Sequence, residues 1–127
     1  MVGLLRAFWA AFDPGESPEQ RGMRLLRAHL TPAQRQQFER CRFFEVVGGQ
    51  TGRRYRVHGT HAINVEELDA SGCCTRRLCF SPCGQLPLGD MLLAQKISLE
   101  LFEDAALAVA GHWGTNRSRP WFRCRHF

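Results

Sequence analysis

The chain has 127 residues, about the length of one domain, and 44% of them are hydrophobic. This composition is too apolar for an intrinsically disordered protein, and the chain is too short for two independent cores. The formal net charge is +5, and no apolar run approaches the roughly 20 residues that a membrane helix needs, so the sequence predicts a small basic domain without a membrane span.

The first segment, residues 1–15, is predicted to be an amphipathic helix followed by a linker. Asp13, Pro14 and Gly15 end the helical pattern. A helix this short is marginal on its own, so its apolar stripe needs a surface on the same domain, on a partner protein or at a membrane interface. The stripe consists of Leu4, Leu5, Phe8, Trp9 and Phe12.

The chain contains six cysteines, a number compatible with disulfides in a secreted protein. No basic stretch precedes Val2–Leu5, and Arg6 interrupts the apolar residues, so no secretory signal is predicted. We therefore expect a cytoplasmic protein with free thiols, in which Cys79 acts as a small buried hydrophobe.

Residues 17–41 carry the clearest local signals in the chain. The tetrapeptides SPEQ at 17–20 and TPAQ at 31–34 each combine an N-cap residue, a proline at the first helical position and a glutamine that completes a capping box. They predict two helices, at 18–30 and 32–41. The junction between them is shorter than that of a DNA-binding helix–turn–helix, so the pattern favours a simple angled pair.

Residues 42–80 change to an alternating pattern that is typical of strands. Short, turn-rich connections between them require antiparallel pairing, and the alternation places apolar side chains on one face and polar ones on the other. The candidate strands are Arg42–Val47, Arg53–His58, Ala62–Leu68 and Thr75–Phe80.

A long apolar helix is predicted over residues 91–110, capped by Gly89-Asp90 and ended by Gly111. Its polar stripe is narrow, so we expect it to be covered on two sides, by the rest of the domain or by a second copy in a homodimer. The predicted fold is α+β: an N-terminal helical pair, a four-stranded antiparallel β-meander and a long C-terminal helix packed on one face of the sheet. A single domain would span 16–111, followed by a basic, aromatic-rich tail at 112–127.

Arginines and aromatic residues alternate in the tail, which carries four basic residues and no acidic one. Such a pattern suits an acidic groove on a protein, a single-stranded nucleic acid, or a segment folded back on its own domain. The residues expected to bind a protein partner are Leu5, Phe8, Trp9, Phe12, Trp113, Trp121 and Phe122. The alternative nucleic-acid surface consists of Arg54, Arg56, Arg117, Arg119, Arg123 and Arg125, although Arg54 and Arg56 are better explained by cross-strand ion pairs with Glu45 and Glu66.

Metal and catalytic signatures are weak. The metal candidates Cys79, Cys83, His58 and His61 lack a recognised zinc-ligand spacing. No nucleophile elbow, Walker loop or dinucleotide fingerprint is present. The glycine-rich stretch 48–52 resembles a phosphate loop in composition only, since no helix follows it, and it is interpreted as a hairpin loop. We expect no cofactor and no enzymatic activity.

Several short motifs between residues 54 and 96 resemble those of a family of small uncharacterised bacterial proteins. The motifs are RYR at 54–56, NV at 64–65, ELD at 67–69 followed by Gly72, LCF at 78–80 followed by Pro82, and LPLGDMLLAQK at 86–96. The likeness extends more loosely from Thr31 to about Leu107. It implies a bacterial cytoplasmic origin but no activity, cofactor or partner.

These observations predict a non-catalytic binding or adaptor module that docks on a larger protein assembly through its terminal segments. A nucleic-acid-binding accessory subunit and a zinc-binding module are the alternatives.

Overall fold

The computed structural model describes residues 15–80 and 85–113, the last two by their backbone alone. Four helices and five strands lie within these residues. The predicted amphipathic segment 1–12 lies outside them, as does all of the tail beyond Trp113.

The N-terminal helical pair forms as predicted, as α1 (Pro18–His29) and α2 (Pro32–Cys41). At the start of α1, the Ser17 hydroxyl accepts a hydrogen bond from the Gln20 N–H (3.1 Å), and the Gln20 side chain accepts one from the Ser17 N–H (2.9 Å). Thr31 and Gln34 form the same reciprocal pair at the start of α2. Both capping boxes are therefore present, and these local hydrogen bonds set the two helix starts.

The sheet is an antiparallel meander, as predicted, with a fifth strand that the sequence did not indicate. Its strands, in spatial and in chain order, are β1 (Phe43–Val47), β2 (Arg54–His58), β3 (Val65–Leu68), β4 (Cys74–Cys79) and β5 (Gly111–Trp113). β5 pairs with β4, so that Trp113 lies opposite Arg77 and the first residues after 111 belong to the sheet.

β3 is shorter than the predicted strand 62–68, because the chain turns sharply just before it. Ile63 has a left-handed backbone (φ 49°), and the Asn64 side chain points inwards, where it is 1% exposed. The predicted alternation along 62–68, which would place the polar Asn64 side chain on the outer face of the sheet, is therefore wrong at this residue. The inward turn is held by a hydrogen bond from the Asn64 amide to the His58 carbonyl (3.1 Å).

The predicted helix 91–110 is two helices, α3 (Leu88–Leu101) and α4 (Glu103–Val109). The break is at Phe102, whose backbone is not helical (φ −137°, ψ 43°). There the loop between β1 and β2 interrupts the helix: the Gly49 N–H donates to the Leu99 carbonyl, and the Gln50 side chain accepts from the Asp104 N–H. The continuous helix predicted from the apolar pattern is thus wrong, because a contact from a distant loop replaces one helical turn.

The start of α3 depends on α1 rather than on the predicted Gly89-Asp90 cap. The Leu88 N–H donates to the Glu19 carboxylate (3.2 Å), which supplies the missing cap from the other helix. The two helices cross where Gly89 meets Gly22, and a Cβ on Gly89 would lie 2.2 Å from the Gly22 carbonyl carbon. Glycine is required at position 89 because only a bare backbone allows this approach.

A single hydrophobic core lies between the inner face of the sheet and helices α1 and α3. Large side chains from both layers are fully buried in it, with Phe38 of α2 in edge-to-face contact with Phe44. The core cluster comprises Leu26, Leu30, Phe38, Phe44, Val46, Tyr55, Val57, Val65, Leu78, Met91, Leu92, Leu93, Leu99 and Ala110.

The outer edge of β1 is covered by α2. The Glu45 N–H donates to the Gln37 side chain (2.7 Å), and the Glu45 carbonyl accepts from the Gln34 amide (2.8 Å). Two glutamines therefore satisfy backbone groups that an edge strand would otherwise leave without protein partners.

Among the described residues, none of the helices is long and apolar enough to cross a membrane.

Candidate functional site

The most concentrated buried polar site is built around the carboxylate of Glu103. This side chain is 0% exposed and lies inside the loop formed by residues 48–52. One carboxylate oxygen accepts the backbone N–H groups of Gln50 (3.0 Å) and Thr51 (2.8 Å). The other accepts the hydroxyls of Thr51 (2.6 Å) and Tyr55 (2.6 Å). Residues 48–52 therefore form an anion-binding loop, and the bound anion is the Glu103 carboxylate of the same chain.

The environment of Glu103 keeps the carboxylate charged. Burial alone would raise its pKa, but the hydrogen bonds from the Thr51 and Tyr55 side chains and from two backbone N–H groups outweigh burial, so the net pKa lies below its ordinary value. Burial and the hydrogen bond to Glu103 raise the pKa of Tyr55, which therefore stays protonated as a donor. A charged carboxylate with four donors holds the loop against the start of α4.

The composition of residues 48–52 was the one sequence signal of this site. The interpretation as a hairpin loop is correct in topology, because the loop joins β1 to β2. Sequence reasoning missed its anion-binding geometry, since the carboxylate comes from a residue more than fifty positions away. A Cβ on Gly48 would lie 2.1 Å from a Glu103 oxygen, which explains why the loop needs glycine there.

A second polar cluster lies on the outer face of the sheet and contains two of the predicted nucleic-acid-binding arginines. Arg54 donates to Glu45 (2.9 Å), and Arg56 lies between Glu45 (3.5 Å) and Glu66 (3.8 Å). The preferred interpretation of Arg54 and Arg56 as partners in cross-strand ion pairs is confirmed. Their charge is thereby compensated within the sheet, which weakens the case for phosphate binding by this face.

His58 and Phe43 complete this outer cluster. The His58 Nε2 is 2.9 Å from the Glu66 carboxylate, and both side chains are nearly buried. The Arg56 guanidinium lies over the Phe43 ring, 4.5 Å from its centroid, and its Nε is buried without a hydrogen-bond partner. Phe43 is 3% exposed, so this aromatic ring packs under an arginine and is not available to stack on a base.

Asn64 and Gln95 form a buried amide pair that the sequence did not single out. Each side chain donates to the other, at 2.7 and 2.9 Å. Gln95 also donates to the Phe80 carbonyl (2.7 Å). The pair links the strand side of the core to α3, and its amide donors are used in these contacts.

A third charged group lies at the edge of the inner face of the sheet. Glu67 occupies a position opposite Tyr55 on β2, and its carboxylate is paired with Arg53 (3.0 Å) and with Arg76. The alternating pattern implied a wholly apolar inner face. The inner face instead carries Glu67, whose charge is neutralised there by two arginines.

The metal candidates do not come together as a site among the described residues. No group of three His, Cys, Asp or Glu side chains in residues 15–80 and 85–113 could hold a metal ion. His58 is bonded to Glu66, His61 is exposed and Cys79 is partly buried. Cys83 lies outside the described residues.

The expectation of free thiols is only partly correct. Cys73, Cys74 and Cys79 are free, but Cys41 is disulfide-bonded. Cys79 is partly exposed rather than fully buried. Burial raises the pKa of the Cys74 thiol, which favours its protonated form.

Of the predicted partner-binding residues, the structure describes only Trp113, by its backbone in β5. The others lie outside the described residues: Leu5, Phe8, Trp9, Phe12, Trp121 and Phe122. The tail arginines of the nucleic-acid alternative, Arg117, Arg119, Arg123 and Arg125, lie outside them as well.

One exposed apolar surface does lie within the described part of the chain. Ala105 and Val109 (75% exposed) share one face of α4 at helical spacing, and Phe102 (59% exposed) is the N-cap residue that precedes this helix. We call these three residues the α4 stripe. Leu101, at the end of α3, is adjacent in the chain and is 65% exposed. Contiguous exposed apolar side chains of this kind mark interaction surfaces more often than single ones do.

Comparisons with protein-family models, with curated proteins and with solved structures find no match for this chain.

Proposed function

We propose that this protein is a non-catalytic binding module that docks on a larger protein through its terminal segments, residues 2–12 and 113–127. The observation that carries the proposal is that the buried carboxylates and carboxamides of the described domain are bonded to the chain itself. Glu103 accepts from four donors, Asn64 pairs with Gln95, and Glu66 contacts His58 and Arg56. Side chains used in this way stabilise a scaffold, whereas both terminal segments are rich in aromatic residues and the last one carries four arginines and no acidic residue.

Aromatic and arginine residues are the side chains that most often supply binding energy at protein interfaces. Trp9 and Trp121 are the strongest candidates, because a tryptophan anchors the largest apolar area. β5 pairs with β4, so residues 111–113, which include the first residue of the proposed C-terminal binding segment, have a defined position in the sheet.

The test is quantitative co-purification of the tagged full-length protein from its native host. Trp9→Ala and Trp121→Ala should each reduce recovery of a specific protein partner by at least about tenfold, the loss expected for an interface anchor. Leu25→Ala is the matched control, since Leu25 is an apolar residue of α1 that is 43% exposed, and it should leave recovery unchanged. The melting temperatures of all three variants should match that of the wild type.

Two outcomes would contradict the proposal. Recovery that is equal in the wild type and both tryptophan variants would show that the ends do not bind. Recovery that disappears after nuclease treatment, with affinity for an oligonucleotide that falls steeply with salt, would instead identify the nucleic-acid-binding accessory subunit.

A further inference from the structure

Four arginines of the helical pair lie together on its exposed side. Arg21, Arg24 and Arg27 follow one another at a spacing of three residues on α1, which places them within about 120° of each other around the helix. Arg35 of α2 joins them, because its Nε donates a hydrogen bond to the Arg27 carbonyl (3.1 Å). All four residues are exposed. We call these four residues the arginine patch.

A carboxylate at the start of α1 compensates part of this charge. Glu16 accepts hydrogen bonds from the Arg24 guanidinium at 2.9 and 2.7 Å. This hydrogen bond is the main reason why the pKa of Glu16 lies below its ordinary value, and the charge of Arg21 adds to the shift. Two arginines of the patch are therefore close to the same carboxylate, and four arginines with one glutamate leave an excess of three positive charges.

The other glutamates of the helical pair do not change this balance for residues 16–42 as a whole, which carry six arginines and three glutamates. Glu19 lies on the opposite side of α1, where its carboxylate accepts the Leu88 N–H of α3 (3.2 Å). Glu39 is exposed on α2, one turn after Arg35. With all three carboxylates counted, the excess is still three positive charges, more than half of the net charge of +5 of the chain. A surface of this kind attracts a polyanion.

The side chains around the patch indicate which polyanion it fits. Within residues 16–42, Leu25 is the only large hydrophobic side chain that is exposed (43%), and the only aromatic ring, Phe38, is 1% exposed. Protein interfaces depend on apolar and aromatic anchors, and single-stranded nucleic acids on rings that stack on their bases. Recognition of an RNA duplex adds contacts to the 2′-hydroxyls. The phosphates of a DNA duplex require only positively charged donors, which are what the patch supplies.

We propose that the arginine patch binds the phosphate backbone of duplex DNA without reading its sequence. The three arginines of α1 extend over about 9 Å of the helix axis. Each DNA strand carries one phosphate per roughly 3.4 Å of the duplex axis, so about three phosphates of one strand fall within this length. The junction between α1 and α2 is shorter than that of a helix–turn–helix, so no recognition helix is placed for reading bases. This binding lies outside the terminal segments and does not rest on the proposed function.

The test is fluorescence anisotropy of a labelled DNA duplex titrated with the full-length protein. Because about three phosphates are neutralised, the Kd of the wild type should rise by at least about 40-fold between about 50 and 200 mM salt. Arg27→Gln and Arg35→Gln should each raise the Kd by about tenfold at about 50 mM salt. Each should also reduce the slope of log Kd against log salt by about one, since one phosphate contact is lost.

Arg40→Gln is the matched control. It makes the same change at an exposed arginine of α2, but Arg40 is five residues from Arg35 and so lies on another face of the helix, and the Kd should stay within about twofold of the wild type. Arg35→Lys keeps the charge and should keep the wild-type salt slope, which separates the effect of charge from that of the hydrogen bond to the Arg27 carbonyl. Circular dichroism melting identifies a variant that has lost its fold, and Arg27→Gln keeps that hydrogen bond because the acceptor is a backbone carbonyl.

Equal salt slopes in the wild type and in both glutamine variants of the patch would overturn the proposal. Tighter binding of single-stranded DNA, duplex RNA or polyglutamate than of duplex DNA at the same salt would overturn it as well. Either failure leaves the co-purification test of the proposed function unaffected. Recovery of a partner that depends on Trp9 or Trp121 should persist after nuclease treatment, whether or not the patch binds DNA.

Discussion

Glu103 joins the start of α4 to the loop between β1 and β2. It is fully buried and accepts hydrogen bonds from two backbone N–H groups and two hydroxyls. A buried carboxylate is costly without such partners and favourable with them, because charge-assisted hydrogen bonds are about twice as strong as neutral ones.

Glu103→Gln should lower the free energy of unfolding by about 1–3 kcal/mol or more, because the new amide group presents a donor to groups that are themselves donors. Urea unfolding at pH 7 measures the loss. The control is Glu39→Gln, which makes the same change at an exposed position of α2 and should stay within about 0.5 kcal/mol of the wild type.

The same site contributes to the acid sensitivity of the fold. The pKa of Glu103 is lower in the folded protein than its ordinary value of 4.5, so its stabilisation is present above that value and is lost as the pH falls through the folded pKa. The pKa values of Glu16 and Asp69 are also lowered, but these residues remain in the variant. The difference in unfolding free energy between the wild type and Glu103→Gln should therefore become smaller as the pH falls below 4.5. An equal difference in unfolding free energy at pH 7 and in acid would contradict the assignment of this stability to the charged Glu103 carboxylate.

Elements defined by neighbouring residues could be predicted from the sequence, and elements defined by distant contacts could not. The starts of α1 and α2 follow from capping boxes that close within three residues. The break at Phe102 depends on Gln50 and Glu103, and its sequence neighbourhood is a continuous apolar pattern typical of an uninterrupted helix. The cross-strand ion pairs of Arg54 and Arg56 were predictable because they join adjacent strands. The Glu103 site was not predictable, because it joins residues far apart in the chain.

The crossing of α1 and α3 gives a prediction about paired glycines. Gly89→Ala should lower the free energy of unfolding by about 1–3 kcal/mol, because the new methyl group would overlap the backbone of Gly22 and force the helices apart. Gly22→Ala should cost less or be neutral, since its methyl group would meet the Asp90 carboxylate at 3.0 Å, and that side chain can move. Alanine also favours the helix at both positions.

Thermal and urea unfolding of the two glycine variants measure this difference. Ser98→Ala, a small change at a partly exposed site of α3, controls for substitution in the same helix. Equal losses at positions 22 and 89, or no loss at position 89, would contradict the assignment of the close backbone contact to Gly89.

At the scale of the whole molecule, the sheet layer and the helix layer are joined by the Asn64–Gln95 pair. The two side chains donate to each other and also bond to the carbonyls of His58 and Phe80. Removal of one member leaves buried polar groups of the other without partners. Removal of both side chains leaves fewer buried polar groups without partners, so the losses of unfolding free energy in the two single variants should not add.

Asn64→Ala and Gln95→Ala should each cost about 1–3 kcal/mol of unfolding free energy, and the double variant should cost at least about 1 kcal/mol less than their sum. A double-mutant cycle from urea unfolding measures this coupling. Strictly additive losses would mean that the two amides stabilise their own elements independently and do not couple the layers.

The two glutamines of α2 that bind the Glu45 backbone have a consequence for the growth of the sheet. Because Gln34 and Gln37 occupy the N–H and the carbonyl of Glu45, the middle residue of β1, a sixth strand on that flank would first have to displace α2. Any additional strand, from the remainder of this polypeptide or from another molecule, would therefore have to align beside β5. The sheet can be extended in one direction only.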